Sequence, residues 1–341
     1  MDTTKKILVT GGCGFIGRWI SKSLIESGHE VYIVDDLSGS TKYNMNDFYD
    51  DLAGFYQIDL SETKKTYEMI NEIKPEVIYH AASSAREGAS FFDPIKITKT
   101  NYMAYINTLE SAIKTGKLDK VILFSSMAVY GSQRVPFSED LERRPEDIYA
   151  INKSAMEQTT EMLSAVHSFR YTILRPHNVF GEFQSLRDKY RNVIGIMMNK
   201  IMRDEPIYIY GDGLQMRSFS YIEDSLDCYI EAMKDKCDGE IINIGGKIPL
   251  SINKLTELVC RTMGTDYDTY PIEHLSDRYS EVKVAYTTWK KSAELLGYKE
   301  DIGYEEGIRK MAKWARSMGP QEWTTEKLEL WNNKAPFWWN E

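Results

Sequence analysis

Lys6-Ile7-Leu8-Val9-Thr10-Gly11-Gly12-Cys13-Gly14-Phe15-Ile16-Gly17 is the stretch on which the fold turns. Lys6 to Thr10 reads as a short strand, and a glycine-rich turn follows it. A helical pattern then runs from about Phe15 to Ser27 and stops at Gly28. Glu30 to Asp35 reads as a second strand with Asp35 and Asp36 at its carboxyl end. Glycines let the backbone turn tightly and approach a pyrophosphate, and the helix N-terminus offers unpaired N–H groups to that anion. Asp35 lies 18 positions after Gly17 and can accept hydrogen bonds from a ribose diol. It would repel a 2′-phosphate, and no arginine lies in Leu37 to Thr41 to bind one, so NAD is expected rather than NADP.

Working outward, strands continue to alternate with helices. Gly54 to Ile58 ends at Asp59-Leu60, and Glu76 to Tyr79 ends at His80-Ala81-Ala82 after a helix from about Glu62 to Ile73. A helix from about Ile97 to Thr115 precedes the strand Lys120 to Phe124, which ends at Ser125-Ser126. Such alternation predicts an α/β fold built on a Rossmann-type doubly wound parallel sheet, with ligands at the carboxyl ends of its strands. Gly11, Asp35, Asp59, His80 and Ser126 all fall at such ends, which predicts one site.

Composition narrows the classes of partner. The 341 residues carry 42 Lys plus Arg against 51 Asp plus Glu, a net charge of −9. That surface suits neither nucleic acid nor an anionic membrane, so a phosphate ligand needs a local basic site. No apolar run reaches a membrane span, and the opening Met1 to Lys6 leads into a strand too short for a signal peptide. Cys13, Cys228, Cys237 and Cys260 form no metal-like cluster and read as reduced thiols, so no metal and a cytoplasmic location are expected.

Tyr149-Ala150-Ile151-Asn152-Lys153 places a phenol and an ammonium one helical turn apart on one face. An unperturbed phenol, with a pKa near ~10, is a poor base at neutral pH, and a nearby ammonium would favour the phenolate.

Together these residues resemble the extended short-chain dehydrogenase/reductase family, and more narrowly its nucleotide-sugar epimerase/dehydratase branch, with proteins of the UDP-glucose 4-epimerase kind. The resemblance rests on G-x-x-G-x-x-G at Gly11, Gly14 and Gly17, on Asp35, Asp59-Leu60, the His-Ala-Ala step, Ser126 and Y-x-x-x-K, and covers nearly all of residues 5 to 316. It implies that Tyr149 is the base, that Lys153 holds the nicotinamide ribose and lowers the tyrosine pKa, and that Ser126 binds the reacting oxygen. It places Phe15, Ile16, Asp36, Ala81, Ala82 and Asn101 at the cofactor with the glycines, has Asp59 bond the adenine amino group, and packs Leu60 on the ring.

In the second half, Arg175-Pro176-His177-Asn178-Val179-Phe180-Gly181 is similar to the family's R-x-x-N-x-[FY]-G. The resemblance sends Asn178 and Asn192 to the sugar or diphosphate and sets Tyr208 and Tyr210 beside the base. It makes Arg217 and Arg278 the diphosphate clamp, whose guanidiniums can donate paired bonds to phosphate. For each arginine a solvated surface position is the plain alternative. Ser83, Ser84, Arg86 and Glu87 follow the His80 strand where relatives line the sugar pocket; Arg86 could meet a uronate or lie on the surface. His177 is a further candidate acid/base, and His80 reads as a strand-end filler. Asn243-Ile244-Gly245-Gly246 resembles a late strand returning to the first lobe. The lobes therefore interleave: residues 1–174 with about 219–246 would bind NAD, and 175–218 with 247–341 would form a smaller α/β substrate-binding lobe. The tail after Met318, with Trp323, Trp331, Trp338 and Trp339, departs from the family core and is expected to dock on its own lobe or on a second subunit.

The resemblance also bears on the reaction. Relatives that dehydrate or decarboxylate carry a carboxylate before Val-Tyr-Gly, where this chain has Met127 and Ala128. The position of Ala128 is also where 3,5-epimerases hold a cysteine. Oxidation at C4 and return of hydride to the other face is then the expected chemistry, on a nucleotide sugar taken to be UDP-linked. A ketoreductase, a dehydratase, a decarboxylase, a 3,5-epimerase and a non-catalytic NAD sensor remain as alternatives. A homodimer is expected through the helices at about Ile97 to Thr115 and Tyr149 to Phe169, although Ala155, Met162 and Val166 on the latter also suit packing on the sheet.

Overall fold

The computed structural model describes residues 4–279 and 281–339; Met1–Thr3, Ser280 and 340–341 lie outside them. In chain order the strands of the first half are β1 (Lys6–Thr10), β2 (Glu30–Val34), β3 (Gly54–Tyr56), β4 (Val77–His80), β5 (Lys120–Phe124) and β6 (Arg170–Pro176). The second half adds β7 (Val179–Phe180), β8 (Ile207–Tyr210), β9 (Met216–Ser218), β10 (Ser220–Tyr221), β11 (Glu240–Ile244), β12 (Pro249–Ser251), β13 (Ile272–Leu275) and β14 (Val284–Ala285). Seven strands form one parallel sheet in the order β11-β6-β5-β4-β1-β2-β3, the doubly wound arrangement the sequence predicts. The order reverses between β1 and β4, so the turns after these two strands open a crevice. The remaining strands make three small sheets.

The central strands are apolar because both faces are covered. Ile7, Leu8 and Val9 of β1 and Val77 and Tyr79 of β4 are fully enclosed. Helices α1 (Phe15–Glu26), α2 (Thr63–Ile73), α3 (Pro94–Thr98), α4 (Ala104–Lys114) and α5 (Ile148–His167) belong to the first half. They are followed by α6 (Val193–Met202), α7 (Ile222–Glu231), α8 (Ile252–Thr262), α9 (Lys290–Leu296) and α10 (Gly303–Met318). Helix α7 packs on α1, and α6, α8 and α10 pack together. Among the described residues no helix is long and apolar enough to cross a membrane, and all four cysteines are free and buried.

Three features of the helices have local causes. The helix expected over Ile97 to Thr115 is two helices joined by a π-helical turn, Lys99–Met103. Asn101 in that turn accepts from Ser84 N at 2.7 Å and from Ser83 Oγ at 3.2 Å, and donates to Ser84 O at 3.2 Å. The widened turn thereby ties the loop after β4 to the helix, a use typical of π-bulges. Helix α6 starts at Val193, because Asn192 stands in the left-handed region at φ 68°. On α5, Met162 and Val166 are 67% and 72% exposed, so they do not pack on the sheet.

Candidate active site

A cleft of about 870 Å³ runs across the sheet reversal, lined by Gly11, Gly14, Asp35, Asp36, Asp59, Leu60, Ala81, Ala82, Ser83, Ser84 and neighbouring residues. Its floor is bare backbone. A Cβ on Gly11, whose φ is 67°, would lie 2.7 Å from Ala82 Cα, and one on Gly17 would strike the Gly11 carbonyl oxygen. Asp35 sits where β2 ends; its carboxylate accepts from Cys13 N at 3.0 Å, Leu37 N at 2.8 Å and Ser40 Oγ at 2.9 Å. Asp59 accepts from Ser61 N at 2.8 Å, which fixes the turn that carries Leu60. Phe15 and Ile16 form the first turn of α1 beneath the glycines. A glycine cradle, an acid at its far end and apolar Val34, Ile58 and Leu60 between acids fit an adenine dinucleotide. Gly17→Ala is accordingly expected to yield protein that folds but loses most co-purifying dinucleotide, measured by chromatography of the released cofactor and by circular dichroism.

Tyr149 and Lys153 both face inward from α5 and are 5% and 2% exposed. Asp147 caps the helix by accepting from Ala150 N at 2.8 Å. Ser126 lies beside Tyr149 and pulls its pKa down, so two of the three expected groups come together. Lys153 Nζ donates to Phe124 O at 2.6 Å and lies 5.7 Å from the centre of the Tyr149 ring. The electrostatics differ from expectation. Burial, then the Glu87 carboxylate, push the Tyr149 pKa above its ordinary value, against the pull of Ser126. Burial brings Lys153 down to about 7, so its ammonium does not offset those effects.

A second cleft of about 680 Å³ is lined by Glu87, Gly88, Phe91, Met127, Ala128, Glu146, Asp147, Arg217, Arg278, Tyr279, Glu281 and others. Tyr149 itself lines neither cleft, but Glu87 and Asp147 from this one and Arg191 from the first all act on its phenol. Arg217 and Arg278 converge as expected, held by one carboxylate: Glu281 accepts from Arg217 Nη2 at 2.7 Å and from Arg278 Nε at 2.7 Å.

Several expected residues are engaged elsewhere. Arg86 is not on the surface but lines the first cleft, paired there: its Nε reaches Asp188 at 3.3 Å and its Nη1 reaches Glu326 at 2.8 Å. Tyr208 and Tyr210, expected beside a base, carry the tail instead. Trp338 donates its indole N–H to Tyr210 Oη at 2.9 Å and packs on Tyr208 with ring centres 5.7 Å apart. The tail docks on its own chain, since burying Trp338 and Trp339 contributes about 1.5–3 kcal/mol each. Asn178 Nδ2 donates to Ser218 O at 2.9 Å, bracing β9. His177 is fully enclosed, its Nδ1 3.3 Å from Ser218 Oγ, and burial drops its pKa to about 3. His80 is enclosed likewise, bonded to Thr10 Oγ1 at 3.0 Å, and fills a strand end. Burial pushes the Cys13 thiol up, so it is not a reactive thiolate.

The sequence reading missed two groups. Asp147 was legible only as a helix cap, yet burial and then Glu87 push its carboxyl up to about 7. Arg191 comes from the second half of the chain, and its Nη2 lies 4.0 Å from where a Cβ on Gly39 would sit. It thus reaches the loop after β2 that holds no arginine of its own.

Comparison with known proteins agrees with this geometry. Residues 7–245 match the model of the NAD dependent epimerase/dehydratase family. The chain is 29% identical to a UDP-N-acetyl-alpha-D-glucosaminuronate decarboxylase of Bacillus cytotoxicus, over 92% of this chain and 98% of that protein. It is also 29% identical to a UDP-glucuronate 4-epimerase of Thermodesulfobacterium geofontis, over 91% and 95%. The structure of a Thermotoga maritima UDP-glucose 4-epimerase with UDP-glucose superposes with a TM-score of 0.84 at 30% identity, covering 92% of this chain and 99% of that one.

Proposed function

We propose that this chain, which belongs to the NAD dependent epimerase/dehydratase family, is a nucleotide-sugar 4-epimerase that uses NAD on a UDP-linked sugar. The observation that carries this reading is the side-by-side placement of Ser126 and Tyr149, each within two residues of the Met127, Ala128 and Asp147 that line the cleft with two arginines. When bound there, NAD would supply a hydride acceptor. Tyr149 takes the proton of the sugar C4 hydroxyl and later gives it back, while Ser126 holds the oxygen. Lys153, anchored on Phe124 O, fixes the ribose side of the site. Gly11, Gly14, Gly17, Asp35 and Asp59 hold the dinucleotide. Arg217 and Arg278 hold the diphosphate, whose charge replaces part of their bonding to Glu281.

In this reading residues 1–174 with about 219–246 carry the cofactor, and 175–218 with 247–341 carry the nucleotide sugar. A second copy covers the exposed Met103, Ile151, Met162 and Val166 on the α4 and α5 side, giving a homodimer.

One observation favours a second reading. Met127 and Ala128 move no protons, but Glu87 and Asp147 lie in the same cleft, and Asp147 is poised near neutrality. A carboxyl so tuned could serve elimination of water after oxidation, as in a dehydratase. Proton NMR of the protein with UDP-glucose and UDP-galactose, with no cofactor added, separates the two. A new anomeric doublet reaching one equilibrium from both sugars is the expected result. A 4-keto-6-deoxy signal would assign the dehydratase instead, and no change with either sugar would sink the epimerase.

A further inference from the structure

The relatives act on both neutral and carboxylated sugars, so the chemistry of the sugar cleft has to decide between them. Four carboxylates line it: Glu87, Glu146, Asp147 and Glu281. Its two cations, Arg217 and Arg278, are both bound to Glu281 and lie where the diphosphate must sit. The guanidinium that could have met a uronate is consumed. Arg86 is 9% exposed, faces Asp188 and Glu326, and lies over the Tyr190 ring at 4.8 Å. His177 is sealed off and neutral. The charged groups of the cleft that act on the Tyr149 hydroxyl, where C4 must come, are Glu87 and Asp147; burial pushes both carboxyls up, that of Asp147 to about 7, so the two form a negative wall above neutral pH.

We propose that this cleft selects a nucleotide sugar with an uncharged substituent at C5 and rejects the corresponding uronate, and that Glu87 and Asp147 set this selection. A sugar whose C4 meets Tyr149 brings its C5 substituent within the field of these two carboxylates. Hydroxyl groups there donate to them, whereas a sugar carboxylate is placed against like charge inside a cleft where screening is weak. The inference rests on the reading of this cleft as the sugar site, and it holds whether chemistry stops at C4 or goes on to lose water.

The test is calorimetry at about pH 8.5, where both carboxyls are ionised, on the dinucleotide-loaded protein with UDP-glucose and UDP-glucuronate. Binding of the glucuronate form is expected to be weaker by roughly tenfold or more, the size of a modest like-charge penalty. Glu87→Gln and Asp147→Asn, each isosteric, are expected to narrow that ratio by tightening the glucuronate form. Equal or tighter binding of the glucuronate form to the unaltered protein overturns the proposal, as does a ratio that neither variant changes. Because the readout is binding, a protein that turns over neither sugar but keeps the ratio would refute the epimerase reading and leave the selection standing.

Discussion

Tyr149→Phe is expected to cut turnover by about 10²–10⁴-fold, the usual contribution of a positioned acid/base group, with both ligands still bound. The reasoning is geometric before it is electrostatic. Tyr149 is 5% exposed, lies beside Ser126 and feels the charges of Glu87, Asp147 and Arg191, so its hydroxyl is the proton carrier placed closest to both sets of lining residues. The ring itself packs, and phenylalanine keeps that packing. Burial and Glu87 hold the phenol in its protonated form in the ligand-free protein. Lys153, brought down to about 7, offsets little of this. The tyrosine therefore becomes a competent base only when ligands change its surroundings. Single-turnover NMR and calorimetry on the variant separate chemistry from binding. Turnover within tenfold of the unaltered protein would show that another group, Asp147 first among them, takes the proton.

The second large effect is expected at Glu157, which no motif marks. It is fully enclosed on α5, one turn beyond Lys153. Its carboxylate accepts from Arg175 Nε at 2.9 Å and Nη2 at 2.6 Å, from Arg143 Nε at 2.5 Å, and from the Ser125 hydroxyl. Burial alone would raise its pKa, but the Arg175 guanidinium holds it below the ordinary carboxylate range. Arg175 is itself 1% exposed and otherwise bonds Tyr130 Oη at 2.6 Å. Glu157→Gln leaves that guanidinium buried without its counter-charge, a loss of about 3–5 kcal/mol. Urea unfolding measures it, with Arg175→Met on the same background as the compensating change. A loss under about 1 kcal/mol would show that Arg175 finds another partner. Catalysis is expected to fall as well, since Glu157 also supports the charged form of Lys153 and bonds the residue before Ser126.

Local rules sufficed for the elements and for the ends of the strands. Turn glycines, the 3.6-residue period and the acid after β2 are short-range signals, and the strand-to-helix alternation leaves few ways to wind the sheet. Hence Gly11, Asp35, Asp59, His80 and Ser126 were legible at the carboxyl ends of the strands before any coordinate. What the sequence by itself determined was therefore the doubly wound sheet, its dinucleotide crevice and the tyrosine–lysine face beside it. Only the tertiary structure decided which charges meet. Arg86 pairs with Asp188, 102 residues away, and with Glu326 from the tail. Tyr210 Oη accepts from the indole N–H of Trp338, 128 residues on. Glu87 and Asp147 come to face one cleft from separate turns. The physical reason is that hydrogen-bonded turns and helices are written within a few residues. The partner a buried charge finds depends instead on which distant segments packing brings within about 3 Å.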